Sequence, residues 1–288
     1  MRITNQMIQR SLTSGLRGRL QALERAASEA ATGRRVRSIS DDPIDASQMM
    51  RLEAQARDIE QYRRNGTFAT TRLSAEDISL SSVLAALREA KNLAATTTGN
   101  DPTDPQRLAA LSAVQQLKAQ LVSLGNTRVG NEYLFGGAQT TTPPFRADGT
   151  YVGDSASRSV TVGDGVGVTV NHEGGALFGG AMAAMDDLIT ALQSGTQADI
   201  RTVSVDLESS TQTVMRAQAE TGSRLKEIQD GGLRLARIQS FLLERRDALV
   251  SVDPAEAIVR LQQEQAALER AYATIGRVMQ ATLTEYLR

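Results

Sequence analysis

The strongest constraint on this chain lies near its C-terminal end. Ile258, Leu261, Gln265, Leu268, Tyr272, Ile275, Met279, Thr282 and Tyr286 follow one another in alternating steps of three and four residues. Positions three and four apart share one face of a helix, and a sustained period of 3.5 is the pattern of a coiled-coil seam. Gln265 and Thr282 are polar at seam positions, which lowers stability and helps to fix register. Asp253-Pro254-Ala255-Glu256 supplies a start for this helix. Asp253 can cap free N–H groups, Pro254 suits the first helical position, and Glu256 can close a capping box.

A second stripe occupies the N-terminal end. From Ile8, the residues Leu12, Leu16, Leu20, Leu23, Ala27 and Ala30 recur at three- and four-residue spacing. Gly15 and Gly18 weaken that helix, each by about 1 kcal/mol relative to Ala, so it needs partners before it is stable. By periodicity alone, both stripes suit an intramolecular bundle core at least as well as docking to other chains.

Between the ends the sequence reads as helix, β insertion, helix. After a break at Thr32-Gly33, Asp42 is placed to cap a helix that Pro43 begins, with Asp45 in its first turn where the dipole favours negative charge. The apolar spacing carries this helix, bent near Asn65-Gly66, to about Ala95. Asp104-Pro105 starts another through Leu124. A third covers Ile200 to Val250, where Gly231-Gly232 signals a kink or a close helix approach. From roughly Gly136 to Gly180 the texture changes. Turn signals at Pro143-Pro144, Ala147-Asp148-Gly149 and Gly163-Asp164-Gly165 separate β-prone runs at 150–152, 159–162 and 166–170. Helical spacing resumes at 181–193. The expected fold class is mainly α, a long helical rod with the terminal helices paired as a coiled coil and a small β-rich inserted domain. The expected boundaries are 1–40 with 253–288 for the terminal domain, 41–135 with 185–252 for the rod, and 136–184 for the insertion.

Composition narrows function mainly by subtraction. No Trp and 3% aromatic residues leave few anchors for a deep small-molecule pocket. A net charge of -1 gives no overall pull towards nucleic acid or membrane, and the Arg-rich first 40 residues read as a solvated helix face. The absence of Cys removes disulfides, thiolate metal sites and a Cys nucleophile. No apolar run of signal-peptide length follows the start, and no segment is expected to approach the roughly 20 apolar residues of a membrane span; composition by itself therefore points to the cytosol. His172, the one histidine, reads as a turn residue, since no Gly-x-Ser-x-Gly elbow accompanies it. Asp41, Asp42 and Asp45 fall short of the six to eight oxygens calcium takes, and capping explains them better. No catalytic residue, no cofactor-binding residue and no metal site is expected, and the chain is not read as an enzyme.

Four segments then carry a resemblance. Met1-Arg2-Ile3-Thr4-Asn5-Gln6-Met7, the run Ala31 to Pro43 ending in Ser40-Asp41-Asp42-Pro43, and Val252-Asp253-Pro254-Ala255-Glu256-Ala257 are similar to the bacterial flagellin family, the run Ala31 to Pro43 to its segment of the type SGKRINSASDDP. Tyr133-Leu134-Phe135-Gly136-Gly137 resembles the YLFGG of that family's hook–filament junction branch. Ile44-Asp45-Ala46 departs from the usual small, Gly-containing continuation. The resemblance implies a structural subunit that leaves the cell through the flagellar type III export channel without a cleaved signal peptide, replacing the cytosolic expectation. It implies assembly with copies of itself, another hook-associated protein and flagellin, with an export chaperone as a further partner. The subunit-interaction residues expected on this basis are Leu12, Leu16, Leu20, Leu23, Ile258, Leu261, Leu268, Tyr272, Ile275 and Met279. A minor flagellin forming filament itself, an intracellular coiled-coil adaptor, and an enzyme using His172 are the competing readings.

Overall fold

The computed structural model describes residues 5–97 and 101–286, with side-chain surroundings for residues 7, 10–97 and 101–277. Met1 to Thr4 of the opening motif and the side chain of Met279 lie outside the described residues. The chain is mainly α. Helices α1 (Asn5–Thr32), α2 (Pro43–Thr96) and α3 (Pro105–Gly125) precede strands β1 (Arg128–Val129), β2 (Glu132–Tyr133), β3 (Ser159–Gly163) and β4 (Val166–Thr169). Helices α4 (Gly174–Ser194), α5 (Gln197–Val250) and α6 (Pro254–Tyr286) follow. The chain falls into two compact units, one of residues 1–57 with 239–288 and one of residues 58–238.

The helix starts follow from side-chain chemistry. Asp42 Oδ1 accepts from the N–H groups of Ile44 and Asp45, both at 3.1 Å, and Asp253 Oδ1 accepts from Ala255 N–H at 2.7 Å. Asp104 does the same for Gln106 N–H at 2.8 Å. Each side chain satisfies an N–H that the first helical turn leaves without an internal partner. Glu256 does not close the expected capping box; it accepts from Arg260 one turn on. α2 runs as continuous helix through Asn65-Gly66, and α5 does so through Gly231-Gly232. A Cβ on Gly66 would lie 3.4 Å from Ile228, so this glycine allows close approach of α5, whereas Gly231 and Gly232 face open space.

The core of residues 58–238 is built on α4. Phe178, Met185, Leu188 and Leu192 of this helix are fully buried against Leu80 and Leu87 of α2, Leu121 of α3 and Leu207 of α5. The helix begins at Gly174, ten residues before the expected end of the β insertion, because Leu177, Phe178, Ala181 and Met182 already belong to its buried face. Its apolarity also corrects the expectation about membrane spans. By length and composition α4 could cross a membrane, yet half of its apolar window is buried within this fold. The core requirement accounts for its composition.

The β-rich part is smaller than the sequence texture suggested. β3 and β4 form an antiparallel hairpin, with Val160 opposite Val168 and a register shift between Thr161 and Gly163. Gly165, at φ +67°, supplies the left-handed turn residue after Asp164. Val162, Val168 and Val170 face inward and pack on Ala69 and Leu73 of α2 and Ile228 of α5. Tyr151 contributes only an isolated bridge to Phe145, and the β1–β2 hairpin falls before the expected insertion.

Two buried arginines and the histidine complete this unit. Arg107 has no exposed surface, and its guanidinium donates to the carbonyls of Ala191, Leu192 and Gly195. It thereby satisfies carbonyl groups at the C-terminal end of α4, where a cation is favoured. His172 is not the ordinary turn residue expected. Its Nδ1 lies 2.6 Å from the Glu76 carboxylate on α2, and its Nε2 lies 3.2 Å from Glu220 on α5. A helix carboxylate 96 positions away leaves no trace in local spacing.

Phe178 touches Phe135 and Phe145 edge-on, with ring centroids 4.8 and 5.4 Å apart. Phe178→Ala would leave a cavity at this junction and cost about 3–5 kcal/mol. Urea unfolding monitored by far-UV circular dichroism should show a correspondingly lower midpoint.

Candidate assembly interface

The turn between α1 and α2 and the turn between α5 and α6 are joined by main-chain hydrogen bonds. Arg35 N–H donates to Val250 O at 2.7 Å, and Val252 N–H donates to Gly33 O at 3.0 Å, flanking the bridge between Arg34 and Ser251. Gly33, at φ +65°, lets the chain leave α1 towards this junction. The Arg35 guanidinium then reaches Asp42 at 3.2 Å, Asp45, and the carbonyl of Leu249 at 3.1 Å. The bonds to Asp45 and Asp42 hold this guanidinium above its ordinary pKa. Asp41 accepts from the N–H groups of Arg37 and Ser38, which hold its carboxyl below the usual range. The Asp45 N–H and Arg35 do the same for Asp42. The Ser40-Asp41-Asp42-Pro43 motif is thus a joint, with one aspartate closing the turn and the next starting α2. Ser40 and Pro43 are themselves exposed. Val36, Ala46 and Val250 fill the space beneath.

From this joint α1 and α6 pack along each other, with Arg260 and Glu29 paired at 3.0 Å and Arg19 and Glu264 at 3.5 Å. Ion pairs whose arginine stays in contact with water contribute little. The apolar contact is also thin. Among the described side chains of α1 and α6, Ala26 and Ala257 are buried, while Leu12, Leu16, Leu23, Leu261, Leu268 and Ile275 are half-buried. Leu20, Ile258 and Tyr272 are 43%, 50% and 52% exposed. On α6, the face towards α1 runs through residues 257, 261, 264, 268, 271 and 275, one position off the heptad at alternate steps. The structure therefore brings Leu12, Leu16, Leu23, Leu261, Leu268 and Ile275 into the pair and leaves Leu20, Ile258 and Tyr272 on its outside. Val259, at 51% exposure, adds to that outer surface.

The Tyr133-Leu134-Phe135-Gly136-Gly137 motif is a core element of residues 58–238. Leu134 and Phe135 are buried, and Tyr133 lies on β2, with Arg128 over its ring. The Tyr133 and Leu134 carbonyls accept from buried Arg72, whose guanidinium also reaches Val170 O and Glu132. Burial lowers the pKa of Arg72, and Arg158 completes an Arg72–Glu132–Arg158 chain of pairs. Arg72 was invisible in the sequence because its partners lie about 60 to 98 positions away. Among the described residues, no three His, Asp or Glu side chains converge as a metal site would require.

The two glycines of the motif have steric reasons. A Cβ on Gly136 would collide with the Gln139 carbonyl, and one on Gly137 with Asp154. Gly137 also sits at φ +67°. Gly137→Ala should therefore lower the melting temperature more than Gly130→Ala, where φ is +60° but the space is open. Differential scanning fluorimetry on the two variants compares them directly.

Residues 3–140 match the family model for the bacterial flagellin N-terminal helical region. The flagellar hook-associated protein 3 of Escherichia coli K12 is 30% identical over 94% of this chain and 95% of its own length. That of Salmonella typhimurium is 29% identical over 95% and 96%. The crystal structure of Bacillus cereus FlgL superposes with a TM-score of 0.61, covering 68% of this chain and 99% of that one at 21% identity. With the terminal joint and both motifs in place, the chain belongs to the flagellar hook-associated protein 3 family, a family of structural flagellar proteins.

Proposed function

We propose that this chain is a structural subunit at the hook–filament junction, joining another hook-associated protein to the flagellin filament and assembling by coupled folding of its terminal helices. The observation that carries this reading is the incomplete burial of the α1–α6 pair. Two amphipathic helices packed side by side bury one stripe each, and here Leu20, Ile258, Val259 and Tyr272 remain about half exposed. Apolar surface of this kind, on helices with glycines at 15 and 18, is stabilised by further helices from neighbouring subunits. Ordering on assembly costs conformational entropy that the newly buried area offsets. Identical subunits meeting head to tail form open helical assemblies or rings, as a junction layer requires. The reading places the subunit on the outside of the cell, exported without a cleaved signal peptide, and assigns it no enzymatic activity. An export chaperone that covers the exposed α6 stripe before assembly fits the same surface.

Deletion of the gene should leave hooks without filaments by electron microscopy, with flagellin shed into the medium as monomer by immunoblot. Normal filaments on motile cells would overturn the junction assignment. Complementation with Leu268→Asp should fail to restore filaments, because a carboxylate would enter the α1–α6 contact, while residues 58–238 remain folded by circular dichroism. Normal incorporation of this variant would sink the terminal-helix mechanism and leave the junction role standing.

A further inference from the structure

We infer that His172 is a pH-responsive clasp that ties the connector between β4 and α4 to both α2 and α5 when protonated, and gives up its own bond to α5 when it loses its proton. Hydrogen-bonding valence sets the requirement. An imidazolium carries two N–H donors, whereas either neutral tautomer carries one. Here both ring nitrogens face carboxylates, Nδ1 on Glu76 and Nε2 on Glu220. Only the protonated ring can donate to both.

Burial decides which contact survives. The Glu76 side chain is 2% exposed and that of Glu220 is 60% exposed. An unpartnered Glu76 would be a buried charge without a donor, a costly arrangement, while Glu220 can turn to water or to Arg224 at 3.5 Å. The remaining proton therefore stays on Nδ1, and the bond to Glu220 is the one lost. The proton released goes to solvent, and no other chemistry is involved.

The charged groups facing the ring come from each packed element. Glu76, with Arg72 behind it, belongs to α2; Arg216, Glu220 and Arg224 belong to α5; Glu173 is the next residue of the connector. Burial, the largest influence, disfavours the imidazolium, but the hydrogen bonds and charge of Glu76, with Glu220, outweigh it and raise the pKa above its ordinary 6.5. A raised folded pKa means the contribution is fully present below 6.5 and is lost as pH rises through the folded value. The connector continues into Gly174, whose N–H donates to Phe135 O at 3.2 Å, so release at Glu220 acts next to the buried Phe135 motif.

The chain has a single histidine, so its ring nitrogens give one unambiguous NMR titration in the full-length protein. The expected result is a midpoint above 6.5 and, beyond it, the tautomer protonated at Nδ1. Glu220→Gln, at an exposed position, should shift the midpoint to lower pH, and thermal stability of the wild type should fall across this window more than that of His172→Gln. A midpoint at or below 6.5, the Nε2-protonated tautomer, or an unchanged midpoint in Glu220→Gln would each overturn the clasp.

Discussion

The junction of Gly33–Arg35 with Val250–Val252 is the interaction on which the terminal unit depends. It joins segments more than 200 positions apart through two main-chain hydrogen bonds and one guanidinium. Once the two turns are fixed there, α1 and α6 leave from adjacent points and meet along their length. Without that fixed departure point, two helices with thin apolar stripes would have little to hold them in register. The two main-chain bonds fix the register in which these distant segments meet. Arg35 adds direction, since a planar guanidinium meets two aspartates and a carbonyl only in one orientation.

The two family motifs solve different problems with similar chemistry. Around Asp41 and Asp42, carboxylates supply acceptors to N–H groups that a turn and a helix start leave open. Around Tyr133 to Phe135, a buried guanidinium supplies donors to carbonyls that two-residue strands cannot satisfy. In both places a charged side chain completes an irregular stretch of backbone. Such stretches demand particular residues, which is the physical basis of a recognisable motif. Helices satisfy themselves and so tolerate wide substitution outside their buried faces.

Part of the face on which α1 and α6 pair was legible in the sequence. Leu12, Leu16, Leu23, Leu261, Leu268 and Ile275 follow from periodicity, because a helix imposes its period on whichever residues it buries. The facing of Leu20, Ile258 and Tyr272 was not legible, since an apolar residue fits the same heptad whether its partner lies in the same chain or in another. Arg72, Arg107 and His172 were illegible for a different reason. Each is a polar residue whose role is set by groups brought close only in the folded chain.

By itself, the sequence determined the starts of the helices at Asp42, Asp104 and Asp253 and the turn of the β3–β4 hairpin, because these arise from neighbours within a few residues. Only the tertiary structure decided where α4 begins and why it is so apolar, which face of α6 meets α1, and which carbonyls and carboxylates the buried cations serve. Those outcomes depend on which surfaces are excluded from water, and burial is a property of the packed chain that no local stretch of sequence contains.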